Sequence, residues 1–274
     1  MVKDITIGQY FPGNSFIHKL DPRAKLITVF LALVEIFLCK NFLSLALVVV
    51  FAFASVAISR ISFKIVFKGL RMIYLIIILT SLLQIFYNKD GTNLIPEDWG
   101  IKLQITTGGI STAIFMAVRI ITLILISSLL TYTPSPTALT DGLERLLSPL
   151  KKLHIPVDTL AMMMTIALRF IPTLIEELDK IMNAQKARGA DIDSGNLAQR
   201  AKALIPIFIP LFVNSFRRAY ELAFAMECRC YNGSNRRTRM KKMKFSWRDA
   251  VASVFILAML AGIILLNHFF GAVI

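Results

Sequence analysis

Residues 156–188, PVDTLAMMMTIALRFIPTLIEELDKIMNAQKAR, change character halfway along. From Leu160 to Ile175 the chain is apolar on nearly every side, with Arg169 the only charge. Beyond Pro172 it becomes amphipathic: Leu174, Leu178, Ile181 and Met182 keep one stripe while Glu176, Glu177, Asp179 and Lys180 occupy the other face. Such a segment is too polar at one end to cross a bilayer and too apolar at the other for a soluble surface. A continuous helix of this length reaches roughly 48 Å at 1.5 Å per residue. It is expected to start packed against or within the membrane edge and to project into the cytosol.

The same plan recurs downstream. Leu204–Val213 is apolar and interrupted by Pro206 and Pro210, and Asn214–Tyr231 sets Phe216, Tyr220, Ala223 and Phe224 against Arg217, Arg218 and Glu221. Both segments carry Phe-Ile-Pro at the transition (Phe170–Pro172 and Phe208–Pro210), and both end on an arginine, Arg188 and Arg229. The distances from proline to arginine differ by three residues, so the pattern is shared without a strict repeat. Upstream, Leu139, Leu143, Leu146, Leu147 and Leu150 form a stripe opposite Asp141, Glu144 and Arg145, started by Ser135-Pro136. Three amphipathic helices are expected here.

Apolar runs flank this region. Leu26–Leu38, Phe42–Ile58, Leu70–Tyr87, Ile110–Leu130 and about Ala250–Phe270 predict about five transmembrane helices. The first run is short and contains Glu35, so a re-entrant hairpin with the second is also consistent. Asn88-Lys89-Asp90-Gly91 and Pro96–Gly100, with Trp99 as an interfacial anchor, read as an outer loop. The overall fold expected is an all-α integral membrane protein: a membrane domain over 1–130, a cytosolic helical domain over 131–244, and a last transmembrane helix over 245–274.

Composition agrees, with 56% hydrophobic residues and a mean hydropathy of +0.66. The formal charge of +14 would suggest nucleic acid in a soluble chain, but the basic residues sit on one side of the predicted spans. Lys3, Lys19, Arg23 and Lys25, then Arg60, Lys64, Lys68 and Arg71, then the segment from Thr131 to Arg248 share that side, against Lys40, Lys89 and Lys102 opposite. Lys/Arg excess marks the cytoplasm, which puts the N-terminus inside and the C-terminus outside. The run from Arg236 to Lys244 is covered by the same rule, and no nucleic acid is expected.

Arg119 lies near the middle of the fourth run and costs ~2.5–3.5 kcal/mol to insert unless partnered. Glu35 is one candidate partner; a backbone carbonyl or snorkelling is at least as consistent. Cys39, Cys228 and Cys230 are too few for a disulfide framework, and the Cys228-Arg229-Cys230 thiols have no neighbour to complete a metal site. There is no P-loop, no H-E-x-x-H and no G-x-S-x-G. Scaffold and docking chemistry is expected rather than catalysis. An arginine at a helix end is most simply a macrodipole partner; two of them on two paired helices favour a guanidinium fork offered to a partner.

Gly8-Gln9-Tyr10, Gly13-Asn14-Ser15 and His18-Lys19-Leu20-Asp21-Pro22-Arg23-Ala24-Lys25, together with Ala187-Arg188-Gly189, resemble the transmembrane coupling subunit of energy-coupling-factor transporters. The resemblance covers essentially the whole chain. It implies a bacterial multi-pass membrane subunit that binds no cofactor itself and works with two cytosolic subunits using ATP and Mg. It also implies a separate membrane substrate-binding subunit for a vitamin or similar micronutrient. Ala187, Arg188 and Gly189 would dock one ATPase; Glu227, Cys228, Arg229 and Cys230 would dock the other. The second motif departs from the family, with Cys228 and Cys230 replacing the usual Ala and Gly. Cysteine accepts a left-handed helix end poorly, so Gly233 is expected to close that helix a turn later. A self-contained secondary transporter or channel is the rival reading, but it would want polar or broken spans around a midplane site.

Overall fold

A computed structural model describes residues 10–88, 92, 106–190, 196–233 and 245–270. The outer-loop residues 89–91 and 96–100, the basic run 236–244 and residues 8 and 9 of the N-terminal motif lie outside that set. The chain forms two compact units, with described residues 10–142 and 245–270 in one and 143–233 in the other.

The first unit contains α1 (Pro22–Leu38), α2 (Phe42–Ser59), α3 (Phe63–Tyr87), α4 (Thr107–Tyr132), the first half of α5 (Pro136–Leu147) and α8 (Trp247–Phe269). α4 packs against α1, α2 and α3, while α8 packs against α1 and α2. The reason is visible in α2, where Leu45, Val48, Ala52 and Val56 recur at helical spacing and are almost fully buried. They meet Ala32 and Ile36 of α1, Phe115, Leu125 and Ile126 of α4, and Ile256 and Ile263 of α8. The opposite faces are equally apolar: Phe30, Val50, Leu75 and Val254 are exposed. A helix apolar all round belongs in a bilayer, where the outer face meets lipid.

α2, α4 and α8 are long and apolar enough to cross a membrane, whereas α1 has 17 residues; α3 has 25 residues and carries the apolar run Leu70–Tyr87. α6 (Val157–Ala187) also qualifies by length and composition, through its apolar first half. α3 begins at Phe63, seven residues before the apolar run, because charged residues extend the helix without contributing to its hydropathy.

Residues 10–21 are strapped onto this unit. The Phe11 amide donates to the Tyr132 carbonyl at 3.0 Å, and the two rings meet edge to face at 5.7 Å. Phe16 meets Trp247 in the same manner at 6.4 Å. His18 is held at both ring nitrogens, by the Ser15 hydroxyl at 2.6 Å and the Phe11 carbonyl at 3.0 Å.

The second unit contains a 3-10 turn over Ser148–Leu153, then α6 and α7 (Leu197–Glu227). α7 starts seven residues ahead of its apolar run, with Asn196 and Gln199 forming a capping box. Both long helices continue through their prolines, Pro172 in α6 and Pro206 and Pro210 in α7. Four-residue spacing gives the second pair a specific consequence. Pro210 lacks the N–H that would bond the Pro206 carbonyl, and Gln185 of α6 donates its side-chain amide to that oxygen at 3.4 Å.

Candidate functional site

The second unit is an α6–α7 pair whose contacts run antiparallel. Gln185 touches Pro206, Glu177 meets Asn214 and Arg218, and Ile166, Phe170 and Leu174 line one groove with Ala219, Leu222 and Met226. Glu177 is the polar centre of this contact, accepting from Asn214 Nδ2 at 2.6 Å and pairing with Arg218 Nη2 at 2.8 Å. The sequence reading placed Glu177 and Arg218 on solvent faces; the Asn214–Glu177 hydrogen bond ties those faces together instead. Antiparallel contact puts the two arginine-bearing ends at opposite ends of the pair. From Pro206, beside the end of α6, to Arg229 is 23 residues of helix, roughly 35 Å at 1.5 Å per residue.

The two ends close with the same turn. At the first, the Gly189 amide donates to the Lys186 carbonyl at 3.0 Å and the Ala190 amide to the Gln185 carbonyl at 3.0 Å, with Gly189 at φ +85°. At the second, the Cys230 amide donates to the Glu227 carbonyl at 2.8 Å and the Tyr231 amide to the Met226 carbonyl at 3.0 Å, with Cys230 at φ +57°. Both are Schellman closures, in which two amides beyond the helix satisfy its last carbonyls around one left-handed residue. Arg188 and Arg229 hold the equivalent position just before that residue.

The expectation that Gly233 closes the second helix is thereby corrected. Gly233 has φ +68° but lies beyond the closure, and Cys230 takes the left-handed position itself. The two hydrogen bonds that depend on the reversal outweigh the ~1–2 kcal/mol that a side chain costs there.

Ala187, Arg188 and Gly189 at the first end, and Glu227, Cys228, Arg229 and Cys230 at the second, are all exposed. Neither arginine forms an ion pair among the described residues. Each therefore offers its full set of guanidinium donors to solvent at the end of a stiff element. α7 also exposes a continuous apolar stripe, Ile209, Phe212, Phe216, Tyr220 and Phe224, at helical spacing.

In the first unit, the candidate pair of Glu35 and Arg119 is not formed. Arg119 Nη2 donates to the Cys39 carbonyl at 2.6 Å, and the guanidinium carbon lies 4.7 Å over the Phe115 ring. Glu35 is fully buried and neither of its carboxyl oxygens accepts a hydrogen bond. The physical reason is the end of α1: its last carbonyls have no partner within the helix, and a charged donor reaching one from α4 satisfies it. Asn267 of α8 serves the same end, donating to the Leu38 carbonyl at 2.7 Å. The turn Cys39-Lys40-Asn41 carried this signal, since a helix ending inside an apolar region must find donors elsewhere.

A second polar cluster escaped the sequence reading. Asp21 caps α1, accepting from the Arg23 amide at 2.9 Å and pairing with the Arg23 guanidinium at 2.9 Å. Burial pushes the Asp21 carboxyl upward, but the hydrogen bonds and charge of Arg23 prevail and hold it below the usual aspartate value. The Asp21 amide donates to Asp249 Oδ1 at 2.8 Å, and Asp249 Oδ2 accepts from the Ser246 amide at 2.7 Å as the capping box of α8. Aspartate before proline, and serine three residues before aspartate, are the signals that could have revealed both caps.

A family model described as "CbiQ: Cobalt transport protein" matches residues 13–240. The chain is 51% identical over 271 residues to the "Energy-coupling factor transporter transmembrane protein EcfT" of Clostridium kluyveri, covering 99% of this chain and 100% of the relative. The protein of the same description in Bacillus subtilis is 45% identical over 262 residues, covering 95% of this chain and 98% of its own. That of Staphylococcus aureus is 43% identical over 258 residues, covering 94% and 95%. The chain belongs to the CbiQ/EcfT family, as a transmembrane component of the energy-coupling factor transporter type.

Proposed function

We propose that this chain is the coupling component of an ATP-driven importer, transmitting conformational change in two cytosolic ATP-binding subunits to a membrane substrate-binding subunit. The observation that carries the reading is the pair of exposed arginines on identical helix closures at opposite ends of one antiparallel helix pair. Two seats of the same local shape, tens of ångströms apart, suit two copies of one kind of soluble partner. Each guanidinium fork would reach carboxylates or backbone carbonyls in a groove of one ATPase.

ATP and Mg would be bound and used by those partners, with no cofactor on this chain. The exposed phenylalanine stripe of α7 suits a membrane subunit held by apolar packing that can be broken and remade. The cargo would be a vitamin or comparable micronutrient selected by that other subunit. The positive-inside bias would put the α6–α7 pair and the N-terminus in the cytoplasm and the C-terminus outside.

The test is co-purification and uptake in cells expressing the whole complex. Arg188→Ala and Arg229→Ala should each reduce recovery of the ATP-binding subunits, and the double variant should abolish uptake. Wild-type uptake with intact recovery of both ATP-binding subunits in the double variant would end the proposal.

A further inference from the structure

Helix α5 leaves the membrane unit partway along its own length: residues up to Gly142 belong to that unit and Leu143 does not. The chain returns ahead of Ser246, which begins α8. Both passages end on the same three residues, Asp21-Pro22-Arg23. At the outgoing passage Gly142 is buried against the turn. A Cβ on Gly142 would stand 3.0 Å from Pro22 Cβ, 3.2 Å from the Pro22 carbonyl carbon and 3.4 Å from the Arg23 nitrogen. The nearest atoms belong to a proline ring and to backbone, neither of which can swing aside. At the returning passage Asp249, fully buried in the first turn of α8, takes the Asp21 amide on one oxygen and the Ser246 amide on the other.

The turn itself is built not to yield. Proline fixes its own φ, Asp21 binds Arg23 through backbone and side chain, and Lys25 donates to the His18 carbonyl at 3.1 Å from a nearly fully buried position. Phe16 against Trp247 closes the same corner. A displacement arriving along either covalent link of residues 143–233 therefore meets one rigid seat where it enters the membrane unit, at the first turns of α1 and α8.

We propose that the Asp21-Pro22-Arg23 turn is the common bearing through which both links load the membrane unit, with Gly142 and Asp249 as positioning residues for transport. This rests on the coupling function proposed above. The alternative, that Gly142 is only a local feature of α5, predicts the opposite sign for one substitution. Alanine is a better helix former than glycine, so Gly142→Ala would then stabilise α5 and leave transport intact.

The experiment uses the whole complex, reconstituted in proteoliposomes with its ATP-binding and substrate-binding subunits. It measures recovery of the subunits, ATP hydrolysis and uptake for Gly142→Ala, Gly142→Val and Asp249→Asn. The expected result is unchanged subunit recovery and continued hydrolysis, with uptake per ATP hydrolysed falling in all three. Gly142→Val should fall furthest, by about ten-fold or more, as misplacement on the ångström scale commonly does. Uptake per ATP at the wild-type level in Gly142→Val or Asp249→Asn would overturn the proposal. So would loss of the chain from the membrane in every variant, which would reduce the turn to a folding element. The Arg188→Ala, Arg229→Ala double variant separates the two ideas. If it keeps its ATP-binding subunits while the Gly142 variants uncouple, the docking assignment fails and the bearing stands.

Discussion

Replacing the left-handed residue of each closure should move the two helix ends in opposite directions. Gly189 lies at φ +85°, and the space a methyl group would occupy is empty to 4 Å. Gly189→Ala therefore meets no neighbour, and its cost is the left-handed strain of a side chain, about 1–2 kcal/mol, less the roughly 0.5–1 kcal/mol by which alanine narrows the unfolded ensemble, a net of about 0.5–1 kcal/mol. If that strain is released when the end frays, local opening rises by about 2- to 5-fold. At the other end Cys230 already bears the strain at φ +57°. Cys230→Gly removes it, but glycine also widens the unfolded ensemble by roughly 0.5–1 kcal/mol, so the net gain is smaller, about 0.5–1 kcal/mol. Hydrogen exchange reads both directly, because the Ala190 and Tyr231 amides close the long bonds of the two turns, to Gln185 and Met226. Exchange at Ala190 should accelerate in Gly189→Ala, and exchange at Tyr231 should slow in Cys230→Gly. Unchanged Ala190 exchange in the first variant, or faster Tyr231 exchange in the second, would refute the reasoning.

Two further outcomes follow from polar contacts in the two units. Glu177→Ala should lower the thermal stability of the α6–α7 pair by about 1–3 kcal/mol, because it strands the Asn214 amide in a partly buried contact. Glu177→Gln keeps that acceptor and loses only the half-exposed pair with Arg218, so thermal unfolding should show a loss of about 0–1 kcal/mol. His18 has its pKa lowered from the ordinary 6.5 by burial first and by the charge of Lys25, against the raising effect of its bond to Phe11. The folded state thus favours the neutral ring. The associated stability is fully present above pH 6.5 and is lost as pH falls through the lowered value. Melting temperatures of the wild type should drop across that acidic window, and those of His18→Gln should drop less.

The membrane helices were legible because a bilayer demands one thing of a sequence, continuous apolarity. The expected runs at Phe42–Ile58 and Ile110–Leu130 lie within three residues of α2 and α4 at every end. Where charged or polar residues extend a helix past its apolar part, as in α3 and at the start of α7, hydropathy alone misses several residues. The arginine-bearing ends were legible as motifs, but the closure of the second was not. A cysteine in the left-handed region is decided by hydrogen bonds from the closing amides to carbonyls three and five positions back along the turn, which no local preference reports. Arg119 was legible as a charge in need of a partner, with a backbone carbonyl among the candidates, but the particular carbonyl is set by where α1 ends against α4. Asp249 went unread because its partners, the Asp21 and Ser246 amides, are brought together only by the fold.

The four-residue spacing of Pro206 and Pro210 makes α7 a poorer helix and a better neighbour at the same stroke. Restoring an amide with Pro210→Ala would mend the internal ladder and, in doing so, close off the oxygen that Gln185 reaches across to find. Selection for a stronger isolated helix would then loosen the grip between the two long helices. The register of their crossing is in this sense recorded as a deliberate vacancy in the backbone, and any redesign that idealises α7 on its own would erase it.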